Sequence, residues 1–136
     1  MKLSIEEISL PDVPITTMHI EAERCIVTIC SDRIFKISDN KWLGKTQITV
    51  SDWEYLRVEK YVSQAPFTKG QTFQIDWTEQ TETFEFIHEI NCSDKEILAL
   101  SGFSKESGAW LTYTFNNFRY DIKVNEINNN DTADIY

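Results

Sequence analysis

The chain has 136 residues, of which 41% are hydrophobic, 12% aromatic and 26% charged, a length that holds one domain around one core. Thirteen Lys and Arg against 22 Asp and Glu leave a net charge of -9, which opposes binding to a phosphate backbone. No run approaches the roughly 18 apolar residues of a membrane-spanning helix, and four glycines with three prolines exclude a collagen-like or linker sequence.

The opening Met1-Lys2-Leu3-Ser4-Ile5-Glu6-Glu7 lacks a signal peptide's apolar segment, so the expected setting is cytoplasmic. From there the hydrophobic pattern runs at period two. Residues 18–21, 24–30 and 34–37 are rich in β-branched and aromatic side chains and read as short strands. Turn signals at Glu21-Ala22-Glu23, Ser31-Asp32 and Ser38-Asp39-Asn40-Lys41 separate them. Strands are expected again over 46–50 and 53–62, and Pro66 with Lys69-Gly70 then breaks the ladder. Phe73, Ile75 and Trp77 alternate with Thr72, Gln74 and Asp76. Phe84, Phe86, His88 and Ile90 alternate with Glu85, Ile87 and Glu89. The two runs read as a hairpin over 71–90 with a long acidic connection, since 78–83 offers neither glycine nor asparagine for a tight turn.

Ser93-Asp94-Lys95-Glu96 can be read as a helix-capping box before Ile97 and Leu98. Only about eight residues separate it from Gly102, so a helix here needs tertiary support, and a strand over 96–103 is the preferred reading. Further on, Ala109, Leu111, Tyr113 and Phe115 share one strand face, and Phe118, Tyr120, Ile122 and Val124 share another. A two-residue loop at Asn116-Asn117 would pair Phe115 with Phe118, Tyr113 with Tyr120 and Leu111 with Ile122, and asparagine tolerates the positive φ of such loops. That hairpin leaves Trp110 outward, beside Lys123. The fold class that follows is all-β: an antiparallel sandwich or partly open barrel of about eight or nine short strands. One domain is expected over 1–127, with a flexible polar tail over 128–136.

The chemistry of catalysis is sparse. There is no glycine-rich phosphate loop, no His-Glu-x-x-His and no Gly-x-Ser-x-Gly. Glu85 and Glu89 stand about 13 Å apart along a strand, wider than a retaining glycosidase pair. His19 and His88 with Cys25, Cys30 and Cys92 show no metal-ligand spacing. The expected protein is therefore not an enzyme and carries no metal or cofactor.

Binding has more to work with. Between 76 and 96 lie Asp76, Glu79, Glu82, Glu85, Glu89, Asp94 and Glu96 against Lys95 alone. An acidic face of this kind steers a basic protein partner. Asp76, Glu79, Glu82, Glu85 and Glu89 are its candidate contacts, with Trp110 as an outward anchor. A small-ligand barrel with a cavity lined by Phe73, Trp77, Phe84 and Tyr113 is the alternative, and a homodimer joined through edge strands is a third reading.

Leu10-Pro11-Asp12-Val13-Pro14-Ile15, then Met18-His19-Ile20, the strand over 25–29 and Leu98-Ala99-Leu100-Ser101-Gly102-Phe103 resemble small all-β immunity proteins of bacterial polymorphic toxin systems. Pro11 stands where many of those sequences carry a histidine beside the aspartate. The resemblance implies a non-enzymatic intracellular inhibitor whose partner is a toxin domain.

Three cysteines cannot all pair within one chain, and a cytoplasmic setting keeps thiols reduced. Alkylation with and without prior reduction is therefore expected to give identical masses. A mass difference would reveal a bridge and overturn the compartment reading.

Overall fold

The computed structural model describes residues 3–62, 70–78, 82–94 and 96–125. Within them lie twelve strands and two single turns of 3₁₀ helix, Ile5–Glu7 and Ala22–Arg24. The strands are β1 (Ile8–Ser9), β2 (Ile15–Glu21), β3 (Ile26–Ser31), β4 (Ile34–Lys36), β5 (Lys41–Leu43) and β6 (Thr46–Ser51). They continue as β7 (Tyr55–Val62), β8 (Gln71–Ile75), β9 (Phe84–Ser93), β10 (Ile97–Ser104), β11 (Trp110–Asn116) and β12 (Arg119–Val124). All pair antiparallel in three sheets, ordered β1-β4-β5, β8-β7-β11-β10-β9 and β12-β6-β3-β2, with no closed barrel. The count exceeds eight or nine because β1, β4 and β5, of two or three residues each, make a small sheet of their own.

The two larger sheets form an all-β sandwich, and register explains its core. Across the four-stranded sheet, Met18, Ile29, Ile48 and Ile122 lie in one row and Ile20, Val27, Val50 and Tyr120 in the next. Across the five-stranded sheet run Ile75, Val58, Tyr113, Leu100 and Ile90, with Leu56, Phe115, Leu98 and Cys92 beside them. Val27, Val50, Val58, Leu98, Leu111, Tyr113 and Phe115 have no solvent exposure, and each such side chain contributes about 1.5–3 kcal/mol of burial. The small sheet adds Ile8, Ile34 and Leu43 to the same core.

The hairpin expected over 109–124 does not form. β11 pairs with β7 and β10, whereas β12 belongs to the other sheet and pairs with β6. The expected alternation is present but the expected pairing is not, because strands that face each other across a sandwich show the same inward pattern as strands of one hairpin. The true partner of 110–124 is 46–62. Val124 opposite Thr46 through Arg119 opposite Ser51 resumes, one residue out of step, as Asn116 opposite Tyr55 through Trp110 opposite Tyr61. Between the two halves the ribbon folds over, with Asp52 (φ 51°) and Asn117 (φ 52°) in the left-handed conformation. Asn117 N–H donates to Glu96 O at 2.8 Å and Glu54 N–H to Asn116 O at 3.0 Å, bonds that tie the corner to the neighbouring backbone.

The 71–90 hairpin is also overturned: β8 and β9 occupy opposite edges of the five-stranded sheet. The chain between them is pinned where it can be seen, by Trp77 Nε1 donating to Leu56 O (2.9 Å) and by the Tyr113 hydroxyl donating to Glu82 O. Phe73, expected inside, is 45% exposed. In β9, Glu85 and His88 are each skipped in the pairing with β10. These bulges turn Phe84 and Ile87 inward and leave His88 exposed, so Phe84, Phe86, His88 and Ile90 do not share a face. The strand reading of 96–103 holds as β10, entered through a turn with Asp94 at φ 52° and Glu96 N–H bonded to Ser93 O. Cys25 is not a strand residue; it ends a 3₁₀ turn in the left-handed conformation, so its facing relative to Cys30 does not follow strand alternation. None of the three cysteines lies in a disulfide. The tail expected over 128–136 lies outside the described residues.

Gly102 is fixed by the β9 bulge. A Cβ there would sit 1.9 Å from Phe86 O and 2.8 Å from Ile87 Cα, both backbone atoms with little room to yield. Gly108 has φ +75° but open space around it. Gly102→Ala is expected to cost about 3 kcal/mol and Gly108→Ala about 1 kcal/mol. Urea melts giving the opposite order would remove the bulge from this account.

Candidate functional site

The outer face of the five-stranded sheet carries a line of rings. Thr72 lies opposite Tyr61, Tyr61 opposite Trp110, Trp110 opposite Phe103, and Phe103 opposite Phe86, one residue from each strand from edge to edge. Period-two alternation sends these residues outward because their neighbours Lys60, Leu111, Gly102 and Ile87 occupy the inner side. The rings touch. Phe103 meets Trp110 edge-on at 5.3 Å between centroids, and the exposed His88 packs on both, at 5.2 Å from Phe103 and 5.9 Å from Trp110. Tyr61 is 45% and Phe103 41% exposed. Beside Trp110 the surface dips into an open hollow of about 580 Å³, walled by Tyr61, Val62, Phe103 and the 107–109 turn. The next row along the sheet is polar: Gln74, Glu59, Thr112, Ser101 and Glu89. Ser101 and Thr112 share a hydroxyl hydrogen bond of 3.0 Å, and Arg57 pairs with Glu59 at 3.2 Å.

The sequence-predicted contacts do not gather in one place. Trp110 faces outward, half-buried in the ring cluster, but its neighbours are Phe103 and His88 rather than Lys123, which lies on the other sheet. Glu89 is exposed in the row beside the rings, and Glu85 is exposed at the neighbouring bulge. Asp76 accepts hydrogen bonds from Thr78 N (3.1 Å) and its hydroxyl, which shapes its own turn. Glu79 lies outside the described residues. Tyr61, Phe103, Phe86 and His88 were missed. The signal that finds them is the register between strands distant in sequence, which alternation alone does not supply.

Glu82 has a structural part. Its side chain is 14% exposed and pairs with Lys60 Nζ at 2.8 Å. It also accepts from Ser104 Oγ at 2.7 Å and from Ser107 Oγ. Next to it Glu106 accepts from Thr83 N (2.6 Å) and Thr83 Oγ1 (2.7 Å). Together these bonds clamp 82–83 onto the turn between β10 and β11, at the end of the sheet that bears the rings. Burial pushes the Glu82 carboxyl up, but Lys60, Ser107 and Ser104 outweigh it and hold it below its ordinary value. The buried Tyr113 hydroxyl is pushed the other way, first by burial and then by Glu106 and Glu82, so it stays protonated and keeps its donor role.

The interior offers no barrel-type cavity at the residues proposed for one. Phe84 and Tyr113 are buried against each other at 5.1 Å, Trp77 packs on Trp53 at 5.2 Å, and Phe73, on the same face as Ile75, lies 45% exposed at the sheet edge. A cleft of about 670 Å³ opens between the N-terminal turn and β12, lined by Leu3, Ile5, Cys92, Phe118, Tyr120 and Ile122 among others. Tyr120 spans it, its hydroxyl accepting from Ile5 N at 3.1 Å. Among the described residues no cluster of three or more His, Cys, Asp or Glu is placed to hold a metal ion. No described helix is long and apolar enough to cross a membrane.

The class defined by this architecture is an all-β sandwich with an aromatic outer face. Against known families, characterised proteins and solved structures, the chain finds no match.

A depressed folded-state pKa means that Glu82 stabilises the fold above its ordinary value of 4.5 and loses that contribution as pH falls through the folded value. Glu82→Gln is expected to cost about 1–2 kcal/mol at neutral pH, a cost that shrinks as pH falls below 4.5 and through the lowered folded value. Urea melts at neutral pH and at successively lower pH check this; a gap that stays constant as the pH falls would mean that the carboxylate charge is not its cause.

Proposed function

We propose that this chain is a non-enzymatic, cytoplasmic protein-binding module that docks its partner on the outer face of the five-stranded sheet. The observation that carries the reading is the row Tyr61, Trp110, Phe103 and Phe86, with His88 packed against Phe103 and Trp110. Large rings with few rotatable bonds are the side chains that most often dominate interface energy when a partner excludes water around them. The partner is basic. Glu59, Glu85 and Glu89 border the rings, and the net charge of -9 attracts a cation over distance. Together with the resemblance to immunity proteins, this makes a basic toxin domain the partner class, held by contact and inhibited without chemistry. Trp110 is the central anchor. Glu85 and Glu89 steer, while Glu82 supports the face from beneath and does not meet the partner.

Surface plasmon resonance on the purified partner tests this. Trp110→Ala is expected to speed dissociation and cost about 2 kcal/mol or more. Glu85→Lys with Glu89→Lys should slow association severalfold at low salt, with dissociation unchanged. Raising salt from about 50 to 500 mM shortens the Debye length from about 14 to about 4 Å and should slow wild-type association too. Wild-type binding by both Trp110→Ala and Phe103→Ala would move the interface elsewhere.

A further inference from the structure

The two large sheets have four edge strands, and three of them carry a recognisable defence against pairing. β12 places Arg119, Asp121 and Lys123 at alternate positions. β9 has bulges at Glu85 and His88, carries the charges of Glu85 and Glu89, and makes a bridge from Phe86 to Pro14. β2 has a bulge at Thr16, whose hydroxyl is bonded to Cys30 O at 3.1 Å, and ends on Glu21. β8 has none of these. Gln71-Thr72-Phe73-Gln74-Ile75 contains no charge and no proline, pairs with β7 in unbroken register, and is exposed at every position but Ile75. Among the described residues nothing pairs with its other edge. Unblunted edges of this kind are templates for another strand.

We propose that β8 pairs antiparallel with β8 of a second copy of this chain. A two-fold axis through Phe73 uses all five residues: Phe73 meets Phe73 of its mate, Thr72 meets Gln74, and Gln71 meets Ile75. No charge opposes a like charge in this register, although each copy carries -9 overall. That neutrality selects a second copy over a cationic partner, for which β8 offers no complementary charge. The pairing covers Phe73, which is 45% exposed beside Lys60, Val62 and Ile75 in an open hollow. Paired residues share a face, so the axis stands perpendicular to the sheet. Both aromatic rows then lie on the same side of one ten-stranded sheet, and the dimer presents two docking faces at once.

Sedimentation equilibrium of the full chain over about 5–200 µM tests the proposal. A concentration-dependent dimer is expected, and it should tighten as salt rises from about 50 to 500 mM, because screening relieves repulsion between two acidic copies. A cationic partner responds to salt in the opposite sense, so the two proposals fail separately. Thr72→Lys with Gln74→Lys should weaken self-association at least tenfold, as should Thr72→Glu with Gln74→Glu. An equimolar mixture of the two double variants should restore the dimer, since each lysine then faces a glutamate. If a double variant does not fold, Gln74→Lys mixed with Thr72→Glu should dimerise more tightly than either alone. A wild-type monomer throughout the range, double variants that dimerise like wild type, or mixtures without gain would each overturn the pairing.

Discussion

The antiparallel ribbon of 46–62 against 110–124, folded over at Asp52 and Asn117, is the constraint on which both large sheets depend. One half of the ribbon is β6 with β12 and the other is β7 with β11. Bending the ribbon brings the inner faces of the two halves together, so a single pairing supplies neighbouring strands to two layers. Trp53 sits at the bend, 5% exposed, against Trp77 at 5.2 Å and Phe115 at 6.2 Å. Its indole N–H finds no acceptor among the described residues, a cost of about 1–3 kcal/mol that the ring's packing must exceed. Every other strand of the large sheets is added at the flanks: β3 and β2 beyond β6, β8 beyond β7, and β10 and β9 beyond β11.

The amino-acid pattern carried the face of most strands and the partner of few. Leu111, Tyr113 and Phe115 are buried as their alternation requires, and so is Ile122. A hairpin and a fold-over corner impose the same alternation, however, and asparagine suits the positive φ of either. Only one of the two candidate asparagines, Asn117, takes that conformation. Bulges escape alternation altogether. Two skipped residues in β9 exchange the roles of Phe86 and Ile87, and the one sequence trace of them is Gly102 on the neighbouring strand, which must be small for the bulged backbone to approach. Long-range register, by contrast, rests on the sum of many packing contacts, none of which is marked in its own neighbourhood.

The candidate site was legible to a similar depth. An outward Trp110 followed from its strand, while the row it belongs to draws one ring from each of several strands spread over residues 61 to 110. The acidic stretch was visible as charge, yet charge does not say which carboxylates are already engaged. Glu82 meets Lys60 and two serines far along the chain, Asp76 closes a local turn, and Glu85 and Glu89 remain turned to water.

The fold-over ribbon also bears on how the molecule reaches its native state. Its two arms, 46–62 and 110–124, are separated by the whole of β8, β9 and β10, so closing it costs the entropy of a long loop before any of its hydrogen bonds compensates. The β9-β10-β11 meander involves only neighbours and closes far more cheaply. Loop-closure entropy therefore favours the meander over the ribbon as the first structure to close, and neither layer is complete until β6 and β7 meet β12 and β11. Pairing strands this far apart in sequence raises the relative contact order, the property that slows the folding of β-sandwiches to times on the order of milliseconds to seconds. During the interval, the strands that will lie at the centre of each sheet are themselves exposed edges.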